Sequence, residues 1–371
     1  MPLIFTPEQD ELRTVVRRFF ATHSDEAQVR AQMDSDSGYD TAVWKLMAEQ
    51  LGLQSIAIPE EYGGAGFGFG ELSVVLEEAG RALLCAPLFS TVVLAANTLL
   101  ESGDIAACAE WLPGIAEGRT IATVALIEEG GGWGSDGVRA EAVPDGDHYR
   151  VNGVKPFVLD GAQCDVVIVA ARTPRGISLF TVDPKGTGVE VTALPTLDQT
   201  RRQATLSLTD TPARLLGAEG EGWETLSRVL DLAAAALACE QVGGAARVLE
   251  ATVDYVKVRE QFGRPIGSFQ AVKHKLADML VELESARSAA YYAASAVESG
   301  SPDLSLAASI AKTYCSTAYF HIAAESIQLH GGIGFTWEHS AHLYFKRAKG
   351  SETLLGSPAY HRELIAQRLG M

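Results

Sequence analysis

The chain has 371 residues, 47% of them apolar and 21% charged, enough for two or three packed domains and a deep cofactor site, and a mixture that excludes a disordered or fibrous protein. Forty-seven acidic against thirty basic side chains give a formal charge of -17. Such a surface repels nucleic acid and anionic membranes at long range, so neither is an expected partner.

Thr6, Pro7 and Gln9 form a capping-box start, and Leu12, Val15, Val16, Phe19 and Phe20 recur at helical spacing, which predicts an opening helix. Trp44 to Leu51 and Glu71 to Leu84 repeat the pattern. Between them Pro59 and the run Gly63, Gly64, Gly66, Gly68 and Gly70 predict a loop. From about Arg119 the texture changes to β-branched segments: Thr120 to Ile127, His148 to Val151, Val166 to Ala171, Ile177 to Val182 and Ala204 to Leu208. Asn152-Gly153 is the expected hairpin turn. After Gly222 three long helices are predicted, Trp223 to Val258, Phe269 to Ser299 and Leu304 to Leu329, with the alanines 233–236 as a close-packing face. The fold class is therefore α+β and multidomain. An N-terminal helical domain over 1–118, a middle antiparallel β domain over 119–215 and a C-terminal four-helix bundle over 216–371 are expected.

Cys85, Cys108, Cys164, Cys239 and Cys315 show neither a CxxC pair nor metal-ligand spacing with histidine, so buried reduced thiols and no metal are expected. Met1 to Phe5 lacks the basic and apolar regions of a leader, and no segment reads as a bilayer span. A cytoplasmic location is the resulting expectation.

Two stretches carry the chemistry. Tyr255 to Gln270 reads YVKVREQFGRPIGSFQ and ends a long helix at Gly263-Arg264-Pro265. Arg259 and Arg264 beside Phe262 suit a phosphate with an aromatic ring nearby, and equally suit a basic helix end that complements its dipole. Gln328 to Gly334 reads QLHGGIG, where consecutive glycines admit a ligand or another backbone, or only cap a helix. His321 and His330, without partners at metal-ligand spacing, read as structural.

Together, and with LGLQSIAIPEEYGGAGFG at Leu51 to Gly68, these stretches resemble the acyl-CoA dehydrogenase family along most of the chain. The resemblance implies FAD held between subunits, with Arg259 on the pyrophosphate, Phe262 and Gln270 alongside, and Gln328, Gly331 and Gly332 of a neighbouring subunit lining the adenosine. The reaction it implies is α,β-desaturation of an acyl-CoA thioester. A carboxylate takes the α-proton, the β-hydrogen passes to the flavin as hydride, and the electrons leave to an electron-transfer flavoprotein.

The sequence departs from the family where the base belongs. A carboxylate in a dry pocket is raised in pKa and can take a weakly acidic C–H proton, but the two usual base positions align with Leu355 and Ala233. Glu352 stands three residues from Leu355, roughly 4.5 Å along a helix, and Glu240 stands seven from Ala233, roughly 10 Å. Reacting groups must approach to ~3–3.5 Å, so either glutamate needs remodelling to serve. The β domain also departs: Ile127-Glu128-Glu129-Gly130 and Gly134-Ser135-Asp136 replace Thr-Glu-Pro and Gly-Ser-Asp, and Phe157-Val158-Leu159 ends in Leu instead of Thr. The chain resembles the short, base-less subunit of bacterial α2β2 acyl-CoA dehydrogenases, which act on steroid side chains or dicarboxylic acyl-CoAs. The expected partners are thus an acyl-CoA, a homologous subunit and an electron-transfer flavoprotein. Two alternatives are a self-sufficient homotetramer using Glu352 or Glu240, and a non-catalytic scaffold.

Overall fold

A computed structural model describes residues 5–371, so of the opening Met1 to Phe5 all but Phe5 lies outside the described residues. In chain order, α1 (Pro7–His23), α2 (Glu26–Asp34), α3 (Thr41–Leu51), α4 (Phe69–Arg81), α5 (Ala96–Glu101) and α6 (Ile105–Ala116) come first. The strands follow: β1 (Ala122–Ala125), β2 (Glu141–Asp145), β3 (His148–Leu159), β4 (Val166–Thr173), β5 (Gly176–Val182), β6 (Val189–Ala193) and β7 (Gln203–Leu216). Then come α7 (Gly222–Val258), a two-stranded hairpin of β8 (Glu260–Gln261) and β9 (Arg264–Pro265), α8 (Gln270–Glu298), α9 (Leu304–His330), α10 (Ala341–Thr353) and α11 (Pro358–Arg368). Helices, strands and helices succeed one another as the sequence predicts.

The capping box is present in full. Thr6 Oγ1 accepts from the Gln9 amide, and the Gln9 side chain accepts from the Thr6 amide. The glycine loop ends earlier than expected, because Gly70 already lies in the first turn of α4.

The chain folds as two compact units, one of Met1–Ala31, Phe69–Leu84 and Ala234–Met371, the other of Gln32–Gly68 and Cys85–Ala233. In the first, α4 and α7 meet backbone to backbone. A Cβ on Gly80 would stand 1.9 Å from the Glu240 carbonyl oxygen, and one on Gly243 would stand 1.8 Å from that of Glu77. A methyl group cannot enter either contact without the helices separating. Gly243→Ala should therefore lower unfolding stability by about 1–3 kcal/mol or more, read from the denaturant midpoint. The same substitution at Gly300, where a Cβ meets open space but φ is +59°, would add only backbone strain. Also in this unit, Arg13 and Arg17 of α1 pair with the buried Glu77 and Glu78 of α4, which ties the opening helix down.

The second unit is built around the sheet. Its strand order is β1-β4-β2-β3-β7-β5, with β6 added on β7 and β5 pairing back to β4, so that most strand edges are used. The sheet is antiparallel apart from β1 on β4 and the Glu141–Arg172 contact of β2 with β4, which are parallel. The apolar inner residues of β4, Val166, Ile168 and Ala170, join Leu112 and Ile115 of α6 and Leu99 of α5 in its core.

The turn expected at Asn152-Gly153 is not there. Both residues lie within β3, at a register shift against β7, and the turn before β3 is made at Gly146, φ +63°. Asn152 Oδ1 accepts from the Asp210 amide, and Gly153 is required because a Cβ would lie 2.5 Å from that of Ala140. The pair that tolerates a turn is used for a bulge.

The expectation that no segment is long and apolar enough to cross a bilayer also needs correction. Among the described residues α7 passes by length and mean hydropathy, 1.3 over its best window, yet 83% of that window is buried inside the protein. Its apolarity is that of a core helix. All five cysteines are buried, and none forms a disulfide.

Candidate functional site

The end of α7 delivers the first group of candidate residues. Arg259 is exposed, and among the described residues its guanidinium has no ion pair. The chain then turns back in the β8–β9 hairpin, where Gln261 pairs with Arg264 across a two-residue turn of Phe262 and Gly263. Both turn residues have positive φ, +53° and +76°. This is the geometry that normally selects Asn-Gly, and a phenylalanine there carries backbone strain. The strain is not repaid by burial, since Phe262 is 92% exposed. Among the described residues its ring neighbour is Phe269, edge-on at 6.1 Å, over which the Arg264 guanidinium sits at 4.0 Å. Gln270, the first residue of α8, is exposed beside them.

The end of α9 delivers the second group. Gln328 is exposed, and its carbonyl accepts the Gly331 amide that caps the helix. Gly331, φ +65°, and Gly332 are both exposed, and a Cβ on either would meet nothing within 4 Å. The end of α7 offers an uncommitted guanidinium and a displayed aromatic ring and the end of α9 an open, side-chain-free shelf, features that suit a phosphate-bearing dinucleotide: a cation for the phosphate, a π face, and bare backbone for close approach.

The candidate base positions look different. Ala233 is fully buried in α7. Leu355 is 4% exposed and holds φ +59°, a left-handed conformation costly for a leucine. The turn is over-determined by its neighbours. Lys312 Nζ donates to the carbonyls of Glu352 at 3.1 Å and Gly356 at 3.0 Å, and to Ser316 Oγ at 3.0 Å, while His361 Nε2 lies 2.9 Å from the Leu355 carbonyl. Burial pushes the Lys312 ammonium down to about 7, partly opposed by Glu352.

Burial likewise pushes His361 down to about 4, against the Leu355 carbonyl that favours its charged form. The folded state thus binds fewer protons at His361 than the unfolded state does between pH 6.5 and about 4. Stability from this group is complete above pH 6.5 and falls as the pH drops through that window. Thermal melts from pH 7 to 4 should show the decline, and His361→Gln should flatten it.

Neither substitute glutamate is poised as a base. Glu240 is buried, with Oε1 3.0 Å from Arg347 Nη1, and Arg347 also donates to the Leu84 carbonyl. Glu352 is half-buried and pairs with Lys349 at 2.5 Å. Both carboxylates are engaged by cations, and neither stands free in a dry apolar pocket.

In the β domain Glu128 is a structural acid. Its Oε1 accepts from the amides of Arg139 and Ala140, both at 2.9 Å, and from the buried Lys155 Nζ at 2.5 Å. Burial alone would raise the Glu128 pKa, but these donors outweigh it and the net shift is downward. Phe157 repeats the pattern of Phe262, with φ +59° and 59% exposure. Sequence patterning marked Phe157 only as part of a departing triplet, and it passed over Lys312 because a lysine in mid-helix gives no sign of burial.

The N-terminal domain of acyl-CoA dehydrogenases matches residues 6–119, and the C-terminal domain matches 220–370. The acyl-CoA dehydrogenase IpdE2 of Mycolicibacterium smegmatis is 38% identical over 95% of both chains. Among solved structures, a variant of the Tcur3481-Tcur3483 steroid acyl-CoA dehydrogenase superposes with a TM-score of 0.89 at 36% identity, covering 98% of each chain. A chain of the ChsE4-ChsE5 complex from Mycobacterium tuberculosis does so with a TM-score of 0.92 at 29% identity, covering 100% of this chain and 99% of that one. The chain belongs to the acyl-CoA dehydrogenase family, with that family's fold of N-terminal helices, middle β domain and C-terminal helices.

Proposed function

We propose that this chain is the base-less subunit of an FAD-dependent acyl-CoA dehydrogenase, which lends a dinucleotide-gripping surface to a homologous subunit that carries the catalytic glutamate. The observation that carries the reading is Phe262, strained at φ +53° and 92% exposed beside the uncommitted Arg259. Backbone strain on a solvent-exposed aromatic has no folding reason and points to a ligand. Arg259 would hold the pyrophosphate, Phe262 and Gln270 would flank it, and Gln328, Gly331 and Gly332 would face the adenosine. Bound FAD would supply the hydride acceptor for desaturation, and an electron-transfer flavoprotein would take the electrons onward.

The division of labour rests on Leu355 and Ala233, which cannot accept a proton. The self-sufficient alternative is disfavoured by the pairing of Glu240 with Arg347 and of Glu352 with Lys349. The scaffold alternative leaves the exposed Arg259–Phe262 tip without a purpose. The steroid acyl-CoA dehydrogenase relative at 36% identity makes a bulky polycyclic acyl-CoA the first substrate to test.

Co-expression with a homologous subunit that retains a glutamate should yield a yellow, active α2β2 assembly, whereas the chain alone should be pale. Glu352→Gln in this chain should leave turnover of that assembly within about twofold, because the side chain carries no proton in the reaction. Loss of turnover with FAD retained would identify Glu352 as the base and favour the self-sufficient enzyme.

A further inference from the structure

We infer that Tyr255 and His330 form a positioning lock that joins the two halves of the dinucleotide surface within this one chain, so that Arg259 and the Gly331-Gly332 shelf reach the cofactor as one preset unit. The inference rests on the flavin reading above and departs from the sequence expectation in one point: Arg259 and the Gly331-Gly332 shelf serve one cofactor from the same subunit, where the resemblance draws the shelf from a neighbour.

Tyr255 is bonded to both sides. Its backbone carbonyl accepts the Arg259 amide at 2.9 Å and so closes the last turn of α7. Its ring stacks on that of His330 with centroids 4.3 Å apart and planes 28° from parallel. Its hydroxyl donates to the His330 carbonyl at 3.3 Å, at the residue directly before Gly331.

His330 is held from the other directions as well. Its Nδ1 lies 2.7 Å from the Ser326 carbonyl, and His339 packs against the ring with centroids 4.5 Å apart. One turn earlier, Thr252 Oγ1 donates to Ser326 Oγ at 2.7 Å and repeats the α7–α9 link among buried side chains.

The physical need for a lock follows from the shelf itself. Two exposed glycines lose more conformational freedom on ordering than any other pair, and a ligand that must order them binds more weakly. Fixing the carbonyl before Gly331 to the helix that ends at Arg259 removes part of that cost before the cofactor arrives. Neither side chain is placed to touch the ligand: Tyr255 is half-buried and His330 is buried. They are positioning residues.

The test is FAD affinity of the assembled protein, reconstituted from its flavin-free form, with Arg259→Ala as the control. His330→Ala should weaken FAD binding on the order of tenfold, because the shelf is no longer pre-ordered. His330→Phe keeps an aromatic ring for the stack and loses the Nδ1 contact with the Ser326 carbonyl, and should restore affinity to within about twofold of the parent. Tyr255→Phe keeps the stack but loses the hydroxyl, and should fall between them. FMN, which lacks the adenosine phosphate, should bind His330→Ala as it binds the parent.

The lock is overturned if His330→Phe is as weak as His330→Ala, if FMN is weakened as much as FAD, or if His330→Ala and Tyr255→Phe bind FAD like the parent while Arg259→Ala does not. If Arg259→Ala itself leaves FAD binding unchanged, the flavin reading fails and the lock fails with it.

Discussion

Replacing Arg259 with alanine should strip FAD from the assembled enzyme while leaving the fold intact. The guanidinium is exposed and makes no ion pair among the described residues, so its removal breaks no ion pair there. A charge-assisted hydrogen bond to a phosphate is worth about 1.5–3 kcal/mol, so the affinity for FAD should fall about 10- to 100-fold. Lysine at the same position keeps the charge but not the planar fork, and should recover only part of it. The check is the flavin content of the purified assembly together with its dissociation constant. A melting temperature unchanged from the parent in the flavin-free form would separate lost binding from lost structure. Full flavin occupancy in Arg259→Ala would remove the main support for a dinucleotide at the hairpin.

The second large effect is on stability. Glu240 and Arg347 are both buried and joined at 3.0 Å, so removing either takes a buried charge's ion-pair partner away in the interior. Arg347→Ala or Glu240→Ala should each cost about 3–5 kcal/mol, read from equilibrium denaturation. Replacing both with apolar residues of similar volume should be far milder, since neither charge then remains to be solvated. This cycle also decides the role of Glu240. A catalytic base would lose turnover in Glu240→Gln with stability kept, whereas a structural acid loses stability first. We expect stability to be lost.

Much of the fold was legible because its elements are strongly periodic or clearly bounded. The helix starting at Thr6 announced itself by its capping box, and α7, α8 and α9 by length. Two strands were not. Glu141–Asp145 contains Pro144 and buries only Ala142, while Val189–Ala193 is a short edge with no buried residue. Neither shows the β-branched apolar run that marks a core strand. The Asn152-Gly153 turn failed for the converse reason: a local turn preference was overridden by the pairing of β3 with β7, which needed a bulge and a residue without a Cβ at that point.

The candidate site divides in the same way. Arg259, Phe262 and Gln328 were picked out by the family resemblance of their stretches, since residue type and spacing alone left a plain helix end or cap open, and the structure adds positive φ at Phe262, its exposure, and the open shelf at Gly331-Gly332. The clamped turn at Leu355 was invisible in sequence. It depends on Lys312 reaching the carbonyls of Glu352 and Gly356 from one helix while His361 meets that of Leu355 from another, and no local pattern encodes a long-range hydrogen bond.

The central claim is that this chain lends a grip on the cofactor but carries no base, and it is tested most directly by an anaerobic titration. The purified chain, supplied with excess FAD and no homologous subunit, is mixed with an acyl-CoA while the flavin absorbance is followed. The account predicts no bleaching with this chain alone, and bleaching when the glutamate-bearing subunit is added. Stoichiometric bleaching by this chain alone would contradict it, and would mean that a carboxylate of its own reaches the α-proton.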